Sequence, residues 1–292
     1  MTWAASPPLV LDFDHSVLQL SGDETRLDLS QWQEAIRYGC SWPVFRRFKR
    51  ECPLPTRPGC LFLGSGDFHH LSLLPLKKLT ETEAPLDVVV CDNHPDNMRY
   101  PFGVHCGSWV RWAAALPGVR RVEVLGITSP DIDWAHAWEN NWRPLLSGRL
   151  TYWSIGQRAN WLKLLGRAEN YRSFETADDL MEAFSRESAC LDRVYLSIDK
   201  DVFNPETVRT NWDQGLWEKR HLRGLIEALS GRLAGADVTG EVSSFEFKGI
   251  FKRLLTKLDG LTPPDPSSLR EWQIEQQSFN QDILTWLEKC GH

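Results

Sequence analysis

Three short stretches gather the side chains that hold metal ions: GSGDFHH at residues 64–70, DNHPD at 92–96 and SIDKD at 197–201. In an extended segment, side chains two apart point to the same side, so Asp92, His94 and Asp96 are predicted to converge. Asp199 and Asp201 repeat that spacing. Carboxylates crowded together raise one another's pKa, and divalent cations are the usual compensation. Oxygen ligands with a minority of imidazoles suit manganese or magnesium better than a structural zinc site, with iron, cobalt or nickel also compatible. Capping or turn roles account for any one of these clusters, but less well for three of them at strand ends.

Strands are what must position such clusters. PLVLDFD, CLFLGSGD, DVVVCDN, RRVEVLGI, RVYLSID and ADVTGEV read as strands, and helix-period segments are predicted after residues 105, 133, 176, 218 and 266. This alternation predicts a three-layer αβα fold with a mostly parallel sheet. In such sheets ligands bind beyond the carboxyl ends of the strands, where each polar cluster falls. A single catalytic domain over residues 1–292 is expected. LTPPDPSS, residues 261–268, sets off a C-terminal helical segment at about 265–290.

The chain has 292 residues and a net charge of -6 without a sustained Lys/Arg run, which argues against nucleic acid or an anionic membrane as partner. The N-terminal MTWAASPPLV has neither a basic n-region nor a long apolar h-region, and no stretch has the length of a membrane span. A soluble, cytoplasmic protein is therefore expected. Seven cysteines without a Cys-x-x-Cys pair suit reduced thiols. Trp134, Trp138 and Trp142 are spaced by four, as on one helix face, which predicts packing rather than an open groove.

The order GSGDFHH, DNHPD, SIDKDVFNP resembles the motifs of the ureohydrolase superfamily, the arginases, agmatinases and their relatives, over roughly residues 60 to 245. The first motif departs, because Phe68 follows Asp67, so its histidine ligand is His69 or His70; His69 gives the better alignment. The resemblance implies two Mn2+ ions, one held by His69, Asp92, Asp96 and Asp199, the other by Asp92, His94, Asp199 and Asp201. Such a pair, about 3.5–4 Å apart, activates water at neutral pH. FGVHCGSW resembles the segment carrying the family's proton shuttle, which makes His105 the candidate; an ordinary imidazole pKa near 6.5 would suit that task. ADVTGEVSS resembles the strand with a guanidinium-binding Glu, so Glu241 is the candidate, with Asp237 as competitor.

Departures from the family bear on the substrate. Only NMRYPFGV separates Asp96 from His105, without the hydroxyl cluster that reads a free α-carboxylate. LGITSPDID resembles the family's strand with an amino-group ligand, which makes Asp131 or Asp133 the candidate, with capping of the next helix as the alternative role, and Asn204 replaces an Asp. The pattern resembles a divergent branch that includes peptide arginases, which implies conversion of arginine side chains in a peptide to ornithine, with release of urea. A small free guanidine such as arginine, agmatine or guanidinobutyrate is the alternative substrate. A one-zinc deacetylase-like enzyme and a non-catalytic metal-containing peptide-binding protein are the rivals. Asp12, Asp14 and His15 form a further cluster, suited to supporting the site or to capping. The sequence leaves the oligomeric state open.

Overall fold

The computed structural model describes residues 6–290 except 21, 53, 56–58, 83, 251 and 255–264. The start of MTWAASPPLV and the first four residues of LTPPDPSS lie outside the described residues. Eleven strands run as β1 Leu9–Asp12, β2 Thr25–Asp28, β3 Gly39–Cys40, β4 Leu61–Phe62, β5 Leu86–Cys91, β6 Val104–His105, β7 Val119–Ile127, β8 Leu150–Ile155, β9 Tyr171–Phe174, β10 Val194–Asp199 and β11 Leu233–Thr239. Nine of them form one sheet in the order β2-β1-β4-β11-β10-β5-β7-β8-β9, and every pairing in it is parallel. β3 and β6 make a separate antiparallel pair.

Apolar runs such as LDVVVC and VYLSID become strands buried on both faces, as central parallel strands must be. Alternation divides their side chains between two cores. Val88, Val90 and Tyr195 pack on one face of the sheet, and Val89, Cys91, Leu196 and Ile198 on the other. The first core is covered by α1 Trp42–Glu51 and α2 Leu73–Thr82. The second is covered by α3 Ala177–Ser188, α4 Lys219–Ala228 and the long α5 Pro266–Cys290. Thr176 starts α3 with its hydroxyl accepting from the Asp179 N–H, and Leu180 and Phe184 turn inward one helical turn apart.

The structure corrects two readings of the loops. No helix follows Asp133: its carboxylate accepts from the Ala135 and His136 N–H groups as a helix cap does, but Asn140 Nδ2 and Trp142 Nε1 take the His136 and Ala137 carbonyls, and turns run on to the short helix Trp142–Leu146. Without a helix there is no shared face to bury, and Trp134 and Trp138 stand 65% and 66% exposed. Asp12, at the end of β1, caps the turn to His15 and accepts from Arg26, and Asp14 accepts from Arg37, which also donates to Asp67; neither carboxylate belongs to the metal-type cluster. Among the described residues no helix is long and apolar enough to cross a membrane. All cysteines but the exposed Cys190 are buried thiols.

Candidate metal centre

The cluster forms where β4, β5 and β10 end. Register pairs Cys91 with Ile198, so the residues that follow, Asp92 and Asp199, emerge side by side. The turn after β4 is a 3-10 segment, Gly66–Ser72, started by Ser65, whose hydroxyl accepts from the Asp67 N–H; it brings His69 over both strand ends. His69 Nδ1 lies 3.0 Å from Asp96, 3.2 Å from Asp92 and 3.3 Å from Asp199. His94 Nδ1 lies 2.9 Å from Asp201 and 3.6 Å from Asp92. Two ligand groups result, His69 with Asp92 and Asp96, and His94 with Asp92 and Asp201, sharing Asp92. Asp96 reaches in from a left-handed backbone conformation, φ 46°, uncommon for a residue with a side chain.

Burial without a compensating cation has the expected electrostatic effect. Burial, then the charge of Asp92, pushes the Asp96 and Asp201 carboxyls up to about 7. Burial and the neighbouring Asp201 hold Asp199 well above the ordinary carboxylate range. Asp92 goes the other way: burial opposes its charge, but the neighbouring His69 and His94 imidazoles outweigh burial and lower it. Burial disfavours both imidazolium ions, yet the surrounding carboxylates raise His69 and His94 well above 6.5. The donor set therefore fits divalent cations. Oxygen donors dominate, the two imidazoles sit one in each group, and His69 Nδ1 and Asp92 Oδ2 are buried without a hydrogen-bond partner.

A cavity of about 270 Å³ opens over the cluster. Tyr38, Met98, His105, Pro130, Asp131, Trp212 and Asp213 form much of its remaining wall, and among the described residues no Lys or Arg lines it. His105 stacks on Tyr38 with ring centroids 5.8 Å apart, and its Nδ1 accepts the Gly107 N–H at 3.0 Å. Burial lowers its pKa to about 4, so the ring is neutral near pH 7, with the proton on Nε2. That differs from the near-6.5 value anticipated for a proton shuttle.

No family model matches the chain. A Thermotoga maritima protein described as uncharacterized is 30% identical over 195 residues, 66% of this chain and 62% of its own length. The chain thus spans less than two thirds of that relative. Among solved structures, a putative agmatinase from Clostridium difficile superposes with TM-score 0.55 at 13% identity, over 97% of this chain and 98% of that one. The agmatine ureohydrolase of Thermoplasma volcanium gives TM-score 0.51 at 17% identity, over 99% and 92%. A hypothetical agmatinase from Burkholderia thailandensis gives 0.52 at 14%, over 98% and 87%. The chain has this arginase-like α/β fold.

Within this fold the structure brings together His69, Asp92, His94, Asp96, Asp199 and Asp201, and sets His105 on the cavity wall. His70, the alternative to His69, is buried with neither ring nitrogen hydrogen-bonded and lies outside the cluster. Glu241 is placed apart from them. It does not line the cavity: Lys200 Nζ donates to its Oε1 at 2.5 Å and Asn280 of α5 donates at 2.7 Å, so it is buried in an ion pair behind the strand ends. Lys200, between two of the clustered carboxylates, needs a buried counter-charge, and Glu241 supplies it. Asp237, its competitor, accepts from Ser197 at 2.7 Å and from Tyr195 at 2.6 Å, and Ser197 meets His69 Nε2 at 2.9 Å. It supports His69 from behind. Of the pair Asp131 and Asp133, Asp131 faces the cavity. Sequence reasoning missed Trp109, which donates to Asp96 at 2.7 Å, and Asp213, which meets His94 Nε2 at 3.0 Å. Trp109 closes FGVHCGSW, in which His105 alone is the candidate, and Asp213 follows the last metal-ligand motif by twelve residues; tertiary placement reveals both roles.

Proposed function

We propose that the chain is a single-domain, dinuclear metal-dependent hydrolase of guanidino groups, with manganese the preferred ion. The observation that carries this reading is the pair of ligand groups sharing Asp92 at the floor of a cavity that, among the described residues, no Lys or Arg lines, in an arginase-like α/β fold. His69, Asp92, Asp96 and Asp199 would hold one ion, and Asp92, His94, Asp199 and Asp201 the other. Bound there, two divalent ions supply an activated water at neutral pH and offset charge that develops on the guanidino carbon's substituents.

The chain's own groups do the positioning. Asp131 and Asp213 on the cavity wall, with no Lys or Arg beside them among the described residues, attract a guanidinium. The Trp212 ring, on the wall beside His94, offers a face for a planar cation. His105 is neutral, so its Nε2–H is a hydrogen-bond donor fixed by the Gly107 N–H on its other side. In the reaction, the oxygen of water joins the guanidino carbon, the bond from that carbon to the side-chain nitrogen breaks, and the amine nitrogen takes up a proton. Amine and urea result.

For the substrate, an arginine side chain within a peptide is the favoured reading. Among the described residues no Lys or Arg faces the cavity to pair with a free α-carboxylate, and exposed Trp134 and Trp138 follow the cavity residue Asp131 within one short turn region. Asp131 and Asp213 on the wall favour a second reading, a small guanidine with a distal amine such as agmatine. Mass spectrometry with parallel urea detection separates them. Manganese-loaded protein is given an arginine-containing peptide, free arginine or agmatine, with Asp92→Asn as control. A cyanamide-sized mass loss on the peptide, with urea released and little action on free compounds, is the expected result. Turnover of agmatine alone selects the second reading. No urea from any of them, with two ions bound, overturns guanidine hydrolysis.

A further inference from the structure

We propose that Asp213 is the positioning residue that sets His94 for metal binding, so that the second ion is held through a direct carboxylate–histidine pair that the first ion's histidine lacks. This rests on the two-metal reading above. A histidine that binds a cation through one nitrogen needs a partner for the N–H on the other, and that partner fixes both tautomer and ring orientation. The two histidines meet this need differently. His69 Nε2 is held by the Ser197 hydroxyl at 2.9 Å, with Asp237 one step further back. His94 Nε2 is held by Asp213 Oδ1 itself at 3.0 Å, which leaves Nδ1 as the lone-pair nitrogen aimed between Asp201 and Asp92.

Asp213 is exposed, its side chain 65% open, yet it is anchored. Asn93 Nδ2 donates to its second carboxylate oxygen at 3.1 Å and to its backbone carbonyl at 3.0 Å. Asn93 is fixed in turn, its N–H donating to Asp201 Oδ1 at 3.0 Å and its side-chain oxygen accepting the Thr128 N–H at 3.2 Å. Two residues on, the Gly215 N–H donates to the Asp201 carbonyl at 2.7 Å, tying the loop to the strand end that carries the ligand. Trp212 packs edge-on to the His94 ring at 5.9 Å, closing the other side. Asn93 thus touches Asp213 with its side chain and Asp201 with its backbone, which couples orientation of the imidazole to placement of the opposing carboxylate.

The test is manganese(II) titration of the full chain by calorimetry and by electron paramagnetic resonance, comparing the parent with Asp213→Ala and Asp213→Asn. Circular dichroism and the melting temperature of metal-free protein should match across the three, since Asp213 is at the surface. In Asp213→Ala, affinity for one of the two equivalents is expected to fall by roughly 10- to 100-fold. At two added equivalents the spin-coupled signal of the ion pair should give way to that of an isolated ion. Asp213→Asn keeps an acceptor oxygen and should recover part of the loss, which a general packing defect would not. Parental affinity and a parental spin-coupled signal in Asp213→Ala overturn the proposal alone. A parent that binds fewer than two equivalents overturns the dinuclear reading and takes the proposal with it.

Discussion

At the scale of single residues, the site separates groups that face the cavity from groups that only neighbour it. Asp92 is shared by both ligand groups, whereas Asp96 and Asp201 belong to one each. Asp92→Asn should therefore abolish uptake of both equivalents of manganese, while Asp96→Asn and Asp201→Asn each lose one. Elemental analysis after dialysis reads the difference. Lys200 and Glu241 predict the opposite kind of effect. Both are fully buried, so Lys200→Met strands the Glu241 carboxylate and should cost about 3–5 kcal/mol in chemical denaturation. Lys200→Met with Glu241→Leu should restore most of that stability, and with it metal uptake. A Glu241 that held substrate would instead leave the double variant stable but unable to bind guanidines. Asp92, His94 and Asp96 are legible as neighbours because their spacing is local geometry. Glu241 misleads because a strand-end carboxylate reads the same whether it faces a cavity or a buried lysine.

At the scale of elements, parallel strands place the cluster and tight turns close on it. Gly240, just past β11, has φ 92°, and a Cβ there would come within 2.6 Å of Asp199 Oδ1. Gly240→Ala should cost about 1–3 kcal/mol of stability from the backbone conformation alone. It should also weaken manganese binding by displacing Asp199, readable in the same titration. A variant with parental affinity would show that Asp199 is not held by that turn. Central strands are readable in sequence because runs such as DVVVC and RVYLSI are apolar throughout, the mark of strands covered on both faces. β8 and β9 were not read, although LTYWSI is buried, and neither were α1 and α2. The expected helix after Asp133 fails because the side chains of Asn140 and Trp142 take the His136 and Ala137 carbonyls, which a four-residue spacing of tryptophans does not reveal.

At the scale of the whole molecule, the fold concentrates charge that only a cation can relieve. The pH dependence follows in sign. Burial raises the Asp96 and Asp201 carboxyls to about 7 in the folded protein, against 3.8 ordinarily, so the stability that goes with their protonated forms is lost as pH rises from about 4 through 7. His69 and His94, raised above 6.5 by their carboxylate neighbours, act in the same direction at higher pH. His105, lowered to about 4 by burial, opposes them only below pH 6.5, where its contribution falls away as pH drops. Manganese must displace the protons on Asp96 and Asp201, so its affinity should rise about a hundredfold between pH 6 and pH 8, about tenfold for each carboxyl. Thermal unfolding with and without manganese checks this: the gain in melting temperature should be larger at pH 8, and an equal or larger gain at pH 6 would contradict it. What stays illegible at this scale is how distant loops meet. Asp213 lies 119 residues from His94, and Trp212 walls the same cavity, through contacts that depend on the order of strands in the sheet.

The most direct measurement is anomalous diffraction from a crystal of the full chain grown with manganese. Two peaks about 3.5–4 Å apart are predicted, with Asp92 and Asp199 between them, His69 on one and His94 on the other. A single peak, or peaks away from the ends of β4, β5 and β10, would contradict the account.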